Sequence, residues 1–403
     1  MKSSATRSGA GGHARTPCDA AARARSSGPL DLLRAEFDGV HDVWRSASGM
    51  VYVAGPEAAR AVLGNRPAIV AETSDFYRTR HGVFGPRAAQ AEIGRAARAL
   101  MHHHLDARRS QLPRLIHERL APRSFWPDAG NLLVHEHLAD VLLHPGAPIS
   151  LRTTVGKVVT RAVLAGARRR HAPPSRLLLR HRASAALQAE IRARQHRRQH
   201  HGGSAGPRDL LDVVVDGCGP ATASDDLAEV YLSFLFAAVG SIGFALGWSL
   251  HLLGTHPGCP AAAPDRIVRE ALRLWPVAWL FARTPLRALE LGGTTVTPED
   301  QLAVCTYLVH RHPAYWERPD EFVPQRWAAP VSRAAYLPFG HGPHTCAGAT
   351  VTLQLLEDIV GLLIHDWRLS VIHDGGGPQV GPALAPPRFT AVLSPRANSS
   401  GRR

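Results

Sequence analysis

Cysteine is scarce in this chain, and the few cysteines lie far apart. Five occur in 403 residues, at Cys18, Cys218, Cys259, Cys305 and Cys346. An odd number without a short, repeated spacing excludes the disulfide framework of a small secreted domain. The pattern is typical of a reducing compartment, so we expect a cytoplasmic protein.

Lysine is nearly absent as well. Lys2 and Lys157 are the only lysines among 47 basic residues, which stand against 33 acidic ones and give a formal net charge of +14. Because nearly all of the positive charge is arginine, we interpret it as the coding bias of a GC-rich genome. The charge would attract an acidic protein surface, nucleic acid or anionic lipid, and it does not choose among them.

The densest basic stretch covers residues 167–201. We interpret it as solvated helical faces, because charge runs usually face water. A nucleic-acid or anionic-surface binder is the rival interpretation, and this stretch is its only support, so we expect no nucleic-acid partner. The three histidines from His102 to His104 are weak evidence for a metal site, because adjacent helical side chains point in different directions.

The N-terminal stretch contains no apolar segment. Residues 1–28 are rich in Ser, Ala, Gly and Arg, which predicts neither a secretory signal nor a membrane anchor but a disordered tail. Residues 396–403 are predicted to be a second disordered tail. Residues 29–395 have ordinary globular composition and are long enough for one large domain.

One long apolar run is present. Residues 231–253 carry no formal charge and include Gly243 and Gly247 at a spacing typical of packed transmembrane helices. Acidic residues precede the run and no basic flank follows closely, so the usual orientation signals are absent. A central helix buried on all sides inside a large helical domain gives the same pattern. Taken alone, the run leaves both interpretations open.

Local patterns near the N-terminus predict several small elements. A hairpin is expected around Ser48 and Gly49, followed by a helix that Pro56 starts and Gly64 ends. Residues 69–93 mix aromatic and charged residues without a clear period, which suits an irregular binding segment. Helical patterns dominate the chain after it.

The strongest chemical signal is the run Phe339-Gly-His-Gly-Pro-His-Thr-Cys346-Ala-Gly348. An amphipathic pattern follows and predicts a helix that begins just after the cysteine. A cysteine at a helix N-terminus lies among unpaired backbone N–H groups, which lower its pKa and favour the thiolate. Gly342 and Gly348 allow a tight loop and close approach to a flat ligand. A lone thiolate of this kind is what axial ligation of haem iron requires.

Three other interpretations of Cys346 stay open at this point. It could join His341 and His344 in a zinc site, although a closed site needs a fourth ligand and none is near in sequence. It could be a nucleophile paired with a histidine, although nothing indicates the base. It could also be a buried structural cysteine, which would be the simplest explanation if the loop stood alone.

Three motifs in the same order resemble the cytochrome P450 family. The Cys346 loop matches the family's Phe-x-x-Gly-x-x-x-Cys-x-Gly signature, and Glu270 with Arg273 matches its Glu-x-x-Arg helix. Residues 324–327 stand where a Pro-Glu-Arg-Phe motif is expected. Glu270 and Arg273 lie three apart, hence on one helix face. The resemblance implies that Arg326 completes a buried network with this pair.

The resemblance covers residues 30–395 and implies a fold that is mainly α with a small β part, a cytochrome P450-like single large helical domain. The apolar run would then be the family's central helix, so we expect no membrane span. The implied function is that of a haem-thiolate oxidoreductase, which activates dioxygen with external electrons to oxidise an organic small molecule. The implied cofactor is haem b, and secondary metabolism is the expected setting.

The resemblance also assigns roles to residues. Cys346 is the implied axial ligand of the haem iron, and Phe339, Gly340 and Gly348 belong to the loop that holds it. Haem propionates need charge-assisted hydrogen-bond donors. The donors implied by the resemblance are His344, Arg283 and the pair His104 and Arg108.

The central helix departs from the family's pattern. Ala237 to Ser241 stand where the family has Ala-Gly-x-acid-Thr, so Gly240 replaces the acid while Ser241 keeps a hydroxyl. The acid and alcohol relay protons in the usual mechanism. Either water ordered by Ser241 serves instead, or the enzyme runs atypical chemistry such as coupling, desaturation, ring formation or use of peroxide. A non-catalytic recruitment module is a rival from another class.

The sequence also indicates partners. It contains no Gly-rich dinucleotide motif and no iron–sulfur cysteine cluster, so a separate ferredoxin and ferredoxin reductase are expected to supply electrons. The interval from His256 to Glu270 is too short and proline-rich for the helix that the family places there. The aromatic residues expected to line a substrate pocket are Phe76, Tyr77, Phe84, Trp279 and Phe281.

Overall fold

The computed structural model describes residues 28–71, 76–163, 173–201, 206–218, 222–258 and 262–396. The two predicted tails lie outside the described residues, apart from Gly28 and Arg396. Cys18 and Cys259 also lie outside them. The described cysteines are all free thiols.

Helices dominate the structure, which is 55% helical. In chain order the α-helices are α1 Pro29–Glu36, α2 Pro56–Gly64, α3 Arg87–Arg108, α4 Leu112–Leu120, α5 Asp128–Leu142, α6 Ile149–Val158, α7 Pro173–His201, α8 Leu210–Asp216, α9 Ser224–Phe236, α10 Ile242–Thr255, α11 Pro264–Leu274, α12 Thr306–Val309 and α13 Ala349–Asp366. Two π-helical turns, Val159–Val163 and Ala237–Ser241, follow α6 and α9. The prediction of a mainly α fold with a small β part is confirmed.

The strands form small sheets at the edges of the helical body. They are β1 Val43–Arg45, β2 Val51–Val53, β3 Arg78–Thr79, β4 Gly82–Val83, β5 Arg123–Trp126, β6 Phe281–Arg283, β7 Leu289–Leu291, β8 Thr294–Val296, β9 Leu302–Val304, β10 Trp367–His373, β11 Gln379–Val380, β12 Leu384–Ala385 and β13 Phe389–Pro395. One sheet has the order β1-β2-β9-β6, another β10-β13-β5, and the remaining strands pair in twos.

The N-terminal predictions are confirmed. Strands β1 and β2 pair antiparallel with Val43 opposite Val53, and the turn between them contains Gly49 at a φ of 84°. Helix α2 begins at Pro56, and Asn65 follows its last residue in the left-handed conformation that ends helices.

The expectation of an irregular segment over residues 69–93 is only partly right. Helix α3 already begins at Arg87, and β3 pairs with β4 ahead of it. Helix α3 buries Ile93 and Gly94, and small or apolar residues facing the core stabilise it although the surrounding sequence shows little period.

The apolar run lies at the centre of the fold. Helix α9, the turn Ala237–Ser241 and α10 form one continuous helix over residues 224–255, called the central helix below. Among the described residues it is the one helix long and apolar enough to cross a membrane, and 61% of its most apolar window is buried inside the protein. Burial by neighbouring helices accounts for its composition.

Glycines let the central helix approach its neighbours closely. A Cβ added at Gly243 would fall 1.9 Å from Asn131 Oδ1 of α5, and one at Gly247 would fall 2.9 Å from Pro386 Cγ. The glycine spacing that resembled a transmembrane motif thus serves packing inside the protein. On the other side, Trp248 stacks on Trp275 with ring centroids 4.1 Å apart.

The basic helix α7 is not solvated on every face. Its Arg194 is 2% exposed and donates to Asp209 Oδ1 at 2.6 Å and to Asp212 Oδ1 at 2.7 Å. The interpretation of residues 167–201 as solvated faces is therefore wrong for Arg194, because two acids of α8 and its N-cap neutralise the buried guanidinium. Residues 164–172 lie outside the described chain.

The short interval before α11 holds no helix in its described part. Residues 256–258 and 262–263 connect α10 to α11, and Pro264 starts α11 directly. This agrees with the expectation that the proline-rich interval omits a helix.

Candidate functional site

The Cys346 loop is shaped by two glycines and closed by backbone hydrogen bonds. Gly340 and Gly342 have φ of 73° and 69°, in the left-handed region that favours glycine. The Cys346 N–H donates to Phe339 O at 2.9 Å, and the Thr345 N–H donates to Gly342 O at 3.2 Å. The loop therefore turns back on itself just before α13.

Gly342 is also a close contact with α2. A Cβ at this position would fall 2.7 Å from Gly64 Cα and 2.8 Å from Leu63 O. No side chain fits there, so the loop rests directly on the C-terminal end of α2. Both the close contact with α2 and the positive φ therefore require glycine at position 342.

The Cys346 side chain is exposed, although protein surrounds the thiol. Burial raises the pKa of this thiol, and a hydrogen bond from the backbone of Gly348 opposes the shift. The expectation that the helix N-terminus favours the thiolate is therefore wrong for the protein alone. Helix α13 begins only at Ala349, and loss of hydration outweighs the single backbone donor.

The zinc and nucleophile interpretations of Cys346 find no support in the described residues. No hydrogen bond joins its Sγ to a histidine in this part of the chain. The described cluster that could hold a metal ion consists of His81, Asp225 and Asp226, which does not include the Cys346 loop.

Behind the loop, Glu270 is the centre of a buried ionic network. Its Oε1 accepts hydrogen bonds from Arg273 Nη2 at 2.8 Å, Arg326 Nε at 3.0 Å and the Val323 N–H at 3.0 Å. Its Oε2 accepts from Arg273 Nε at 3.0 Å and Trp327 Nε1 at 2.8 Å. The structure thus brings Glu270, Arg273 and Arg326 together, with Glu270 and Arg273 both 0% exposed.

Arg273 uses its remaining donors on backbone carbonyls. Its Nη1 donates to His310 O at 2.9 Å and to Pro319 O at 2.7 Å, and its Nη2 donates to Glu321 O at 2.9 Å. Two buried charges with all their hydrogen bonds made are stable, whereas either one alone would be costly. The network ties α11 to residues 310–327.

His310 extends this network to the Cys346 loop. Its Nδ1 lies 3.0 Å from Arg273 O, and its Nε2 accepts the Leu337 N–H at 2.7 Å. Since a carbonyl only accepts, Nδ1 carries the proton and the ring is neutral. Burial lowers the pKa of His310 to about 3. A neutral histidine therefore anchors the chain just before Phe339.

Two arginines that the sequence interpretation missed lie against the loop. Arg87 donates through Nη2 to Pro343 O at 2.6 Å, and its Nη1 lies 3.1 Å from His344 Nε2. Arg98 Nη1 lies 3.5 Å from Ala347 O. Helix α3 comes this close because a Cβ at Gly94 would fall 3.0 Å from Ala347 Cβ. The sequence feature that could have indicated this contact is the spacing of Gly94 and Arg98, which places both on one face of α3.

The pair His104 and Arg108 lies elsewhere. His104 Nε2 donates to His137 O at 2.7 Å, and Arg108 Nη2 donates to Asp140 Oδ2 at 2.6 Å. Both partners belong to α5. The C-terminal end of α3 thus directs these side chains to α5, while Arg98 faces the loop.

Strand β6 contributes to the same region. Phe281 approaches Gly340, where an added Cβ would fall 3.6 Å from Phe281 Cζ. Arg283 is 9% exposed and donates through Nη1 to its neighbour Ala282 O at 2.7 Å. Strand β6 thus places the Phe281 ring beside the Cys346 loop, and Arg283 lies two residues further along the same strand.

The turn Ala237–Ser241 of the central helix is π-helical, a widened turn frequent at functional sites. Gly240 is buried and Ser241 is half-buried. The Ser241 hydroxyl makes no hydrogen bond with another described residue. The turn Ala237–Ser241 therefore offers the hydroxyl of Ser241 and contains no acidic side chain.

Two of the five aromatics expected in a pocket, Phe84 and Trp279, are buried core residues instead. The Tyr77 hydroxyl donates to Gln90 O at 2.9 Å, the Trp279 Nε1 donates to Gly381 O at 2.8 Å, and Phe84 is 6% exposed. Phe76 packs edge-on against Phe234 of α9 with centroids 4.6 Å apart. Phe76, Tyr77 and Phe281 are the three that keep partial exposure.

Ion pairs join this segment to the start of the central helix. The Arg80 N–H donates to Glu229 Oε2 at 2.9 Å, and Arg80 Nε lies 3.3 Å from Glu229 Oε1. His81 Nδ1 lies 3.0 Å from Asp226 Oδ1. Arg80 and His81 are largely exposed, so these pairs are weak.

Comparison with known families decides what the Cys346 loop and the Glu270 network belong to. A family model described as Cytochrome P450 matches residues 264–388, which hold both. This part of the chain matches the cytochrome P450 family. The match begins at α11 and ends after the strands that follow α13.

Solved P450 structures share the fold of nearly the whole chain. The open cytochrome P450 EryK from S. erythraea is 20% identical, covers 92% of this chain and 96% of its own, and superposes with a TM-score of 0.67. P450 TbtJ1 is 19% identical, covers 95% of this chain and 100% of its own, and also has a TM-score of 0.67. These likenesses establish the P450 fold.

Curated P450 relatives match a smaller part. Cyclooctatin synthase of Streptomyces melanosporofaciens is 33% identical over 190 residues, 40% of this chain and 41% of that protein. Cyclooctat-9-en-7-ol 5-monooxygenase of the same organism is 29% identical over 219 residues, 47% of each chain. The chain thus spans less than half the length of the curated relatives it matches.

The cytochrome P450 match over residues 264–388 implies a haem, and the residues at the loop fit one. Cys346 presents an exposed thiol, and Gly340 and Gly342 keep the backbone around it thin. Arg87 and Arg98 bring two cations to the same loop, which suits a ligand with carboxylates. The described residues therefore hold the donor set that a thiolate-bound haem requires.

Proposed function

We propose that this P450 is a haem-thiolate oxidoreductase that activates dioxygen with external electrons to oxidise an organic small molecule. The observation that carries the proposal is the exposed Cys346 thiol at the end of a loop clamped between α2, α3 and the Glu270 network. When bound, the thiolate-ligated haem supplies the electron push that favours O–O cleavage. The cofactor we propose is haem b.

In this proposal the loop positions the ligand atom. Gly340 and Gly342 shape the loop that would hold the cofactor, and Phe339 and Gly348 flank Cys346 within it. The propionates would be held by Arg87, Arg98, Arg283 and His344. Charge-assisted hydrogen bonds from these groups are shorter and stronger than neutral ones, so they orient the cofactor as well as bind it.

Haem binding would release a proton from Cys346. The pKa of the free thiol is raised by burial, so the protein without cofactor carries a thiol at neutral pH. The iron needs the thiolate, hence the proton must leave on binding. Apparent haem affinity should therefore rise with pH.

Electrons are proposed to come from a separate ferredoxin and ferredoxin reductase in the cytoplasm. The net charge of +14 would steer an acidic partner, an effect that weakens as salt increases. Arg95 of α3 and Arg109, which directly follows α3, keep 65% and 67% of their side chains exposed, and α3 also carries Arg98 past the Cys346 loop.

The substrate is proposed to be an apolar molecule of secondary metabolism. Two relatives act on cyclooctatin-type compounds by their names, and Phe76 and Phe281 give this chain partly exposed aromatic surfaces. Gly240 in place of the acid allows coupling, desaturation or ring formation, or use of peroxide, beside hydroxylation served by a water that Ser241 orders. Products that stay the same in Gly240→Asp would contradict that part.

The experiment that tests the proposal is the absorption spectrum of the dithionite-reduced protein with carbon monoxide. We expect a strongly red-shifted Soret band that disappears in Cys346→Ala. Cys218→Ala is the matched control, because Cys218 is also a free, partly buried thiol and lies outside the loop. No haem signal, or a band unchanged in Cys346→Ala, would reject the proposal.

A further inference from the structure

One fully buried side chain beside the central helix has no hydrogen-bond partner. Asn131 on α5 is 0% exposed, and neither its Oδ1 nor its Nδ2 is paired within the described residues. Buried carboxamides are nearly always hydrogen-bonded, and an ordered water is the usual partner where protein supplies none. Asn131 therefore marks a place where a water belongs.

Two contacts establish how α5 runs along the central helix. A Cβ added at Gly243 would fall 1.9 Å from Asn131 Oδ1, and the Tyr231 hydroxyl donates to Leu142 O at 3.1 Å. The two helices are therefore antiparallel and stay in contact between these points. Gly240 precedes Gly243 by nearly one turn, so it lies on the same face, the one toward α5.

Gly240 is the position that has lost the acid. It is buried and offers no side-chain atom to the π-helical turn Ala237–Ser241, which packs against α5. The polar group on this face thus comes from α5 rather than from the central helix. Asn131 offers there two hydrogen-bonding atoms that no described residue uses.

We propose that the Asn131 carboxamide holds a water behind the turn Ala237–Ser241 and thereby provides the proton path that Gly240 lacks. The proposal rests on the proposed function and makes Asn131 a positioning residue. Asn131 donates through Nδ2 and accepts through Oδ1 and is itself neither protonated nor oxidised. The water gives up a proton toward Ser241 and regains one from solvent.

Asp128 and His135 are the other polar side chains on this face of α5, and Asp128 is buried. His135 follows Asn131 by one turn and is half-buried, and burial lowers its pKa. A neutral imidazole can relay protons without a positioned water. The experiments below therefore include His135 as the competing group.

The first experiment is a crystal structure of the haem-loaded protein at a resolution that shows waters. We expect a water within hydrogen-bond distance of the Asn131 carboxamide and of the Ser241 hydroxyl or a carbonyl of the turn, and its loss in Asn131→Leu. An Asn131 carboxamide that is dry, or bonded only to protein, overturns the proposal.

The second experiment measures hydrogen peroxide released without added substrate, with NADPH, a plant-type ferredoxin and its reductase. Dioxygen takes up two electrons from NADPH and two protons to give the peroxide, so the rate depends on proton supply. We expect Asn131→Leu to lower the rate about tenfold and to change the solvent deuterium isotope effect. Asn131→Asp, which keeps a polar group for the water, should retain most of the rate.

The control is His137→Leu. His137 is on the same helix and also has a buried atom, Nε2, without a partner among the described residues, but it packs against His104 of α3. Its rate should equal that of the unchanged protein. An unchanged rate in Asn131→Leu, an equal loss in His137→Leu, or a loss in His135→Leu alone rejects the proposal.

Two further outcomes keep the test decisive. If Asn131→Leu does not fold, the crystal structure and the rate of Asn131→Ser decide, since Ser leaves room for a water. Failure of the proposed function itself would appear earlier, as a missing Cys346-dependent Soret band in the unchanged protein. A normal Soret band with no bound water at Asn131 contradicts this inference alone.

Discussion

The two sides of the cofactor region differ in how their polar groups are satisfied. Behind the Cys346 loop, Glu270 accepts five hydrogen bonds, and Arg273 pairs with it while donating to three carbonyls. Beside the central helix, Asn131 is unpaired among the described residues and Gly240 has no side chain. The side-chain polar atoms of Glu270 and Arg273 are thus all hydrogen-bonded, whereas Asn131 beside the central helix keeps two hydrogen-bonding atoms unused among the described residues.

The largest expected effect comes from breaking the satisfied side. Glu270→Gln leaves Arg273 as a buried cation without its counter-charge, which costs about 3–5 kcal/mol. We expect a large loss of the free energy of unfolding in denaturant titration, together with loss of bound haem. Glu57→Gln, at an exposed acid of α2, is the control and should change stability by less than about 0.5 kcal/mol. A Glu270→Gln protein as stable as the control would show that the network contributes little.

A second prediction concerns the contact between the loop and α2. Gly342→Ala and Gly49→Ala both place a Cβ at a positive φ, which costs about 1–2 kcal/mol. Only Gly342 also meets backbone, at 2.7 Å, since nothing lies within 4 Å of a Cβ at Gly49. We expect Gly342→Ala to be the more destabilising by about 1–3 kcal/mol. Equal midpoints in urea for the two variants would contradict the close contact.

The third prediction is a pH dependence of stability. The pKa of His310 is lowered to about 3, below its unfolded value of about 6.5. In this window the unfolded chain binds the proton and the folded one does not, so stability falls as pH falls from about 6.5 toward 3, by up to about 1.4 kcal/mol per pH unit from this group. His310→Gln keeps an acceptor near the Leu337 N–H but does not titrate.

The measurement is the free energy of unfolding between pH 7 and pH 4. His310→Gln should be less stable than the unchanged protein at pH 7 and should lose less stability on acidification. His103→Gln, at an exposed histidine whose side chain makes no hydrogen bond or ion pair among the described residues, is the control and should keep the unchanged slope. An identical slope in His310→Gln would mean that other buried histidines account for the acid sensitivity.

The smallest expected effect is at the start of the central helix. Arg80 is 53% exposed at the side chain where it pairs with Glu229, so Arg80→Gln should cost about 0–1 kcal/mol. The thermal midpoint should shift little, and the difference should vanish as salt is raised. A loss that approached that of Glu270→Gln would erase the contrast between the two sides.

Sequence reasoning was most successful where local rules and motif order agree. The hairpin before α2, the start of α2 at Pro56 and the helix after the Cys346 loop follow from turn residues and helix caps, which are local. The pairing of Glu270 with Arg273 follows from helical spacing. These are features that a few neighbouring residues determine.

It was least successful where two distant segments meet. Whether Arg98 or Arg108 faces the loop depends on how α3 crosses it, and that depends on the contact between Gly94 and Ala347. The buried Arg194 in a basic run is neutralised by acids of another helix. The raised pKa of Cys346 depends on burial by the whole loop, which no local pattern reports.

The stacked indoles of Trp248 and Trp275 give the molecule an optical marker of its own. Their rings are 4.1 Å apart and inclined by 1°, and they join the central helix to α11, the helix of Glu270. Such a pair produces a near-ultraviolet circular dichroism signal that depends on fixed side-chain packing. The packing of the central helix against α11 can therefore be followed by near-ultraviolet circular dichroism during refolding, before any cofactor has bound.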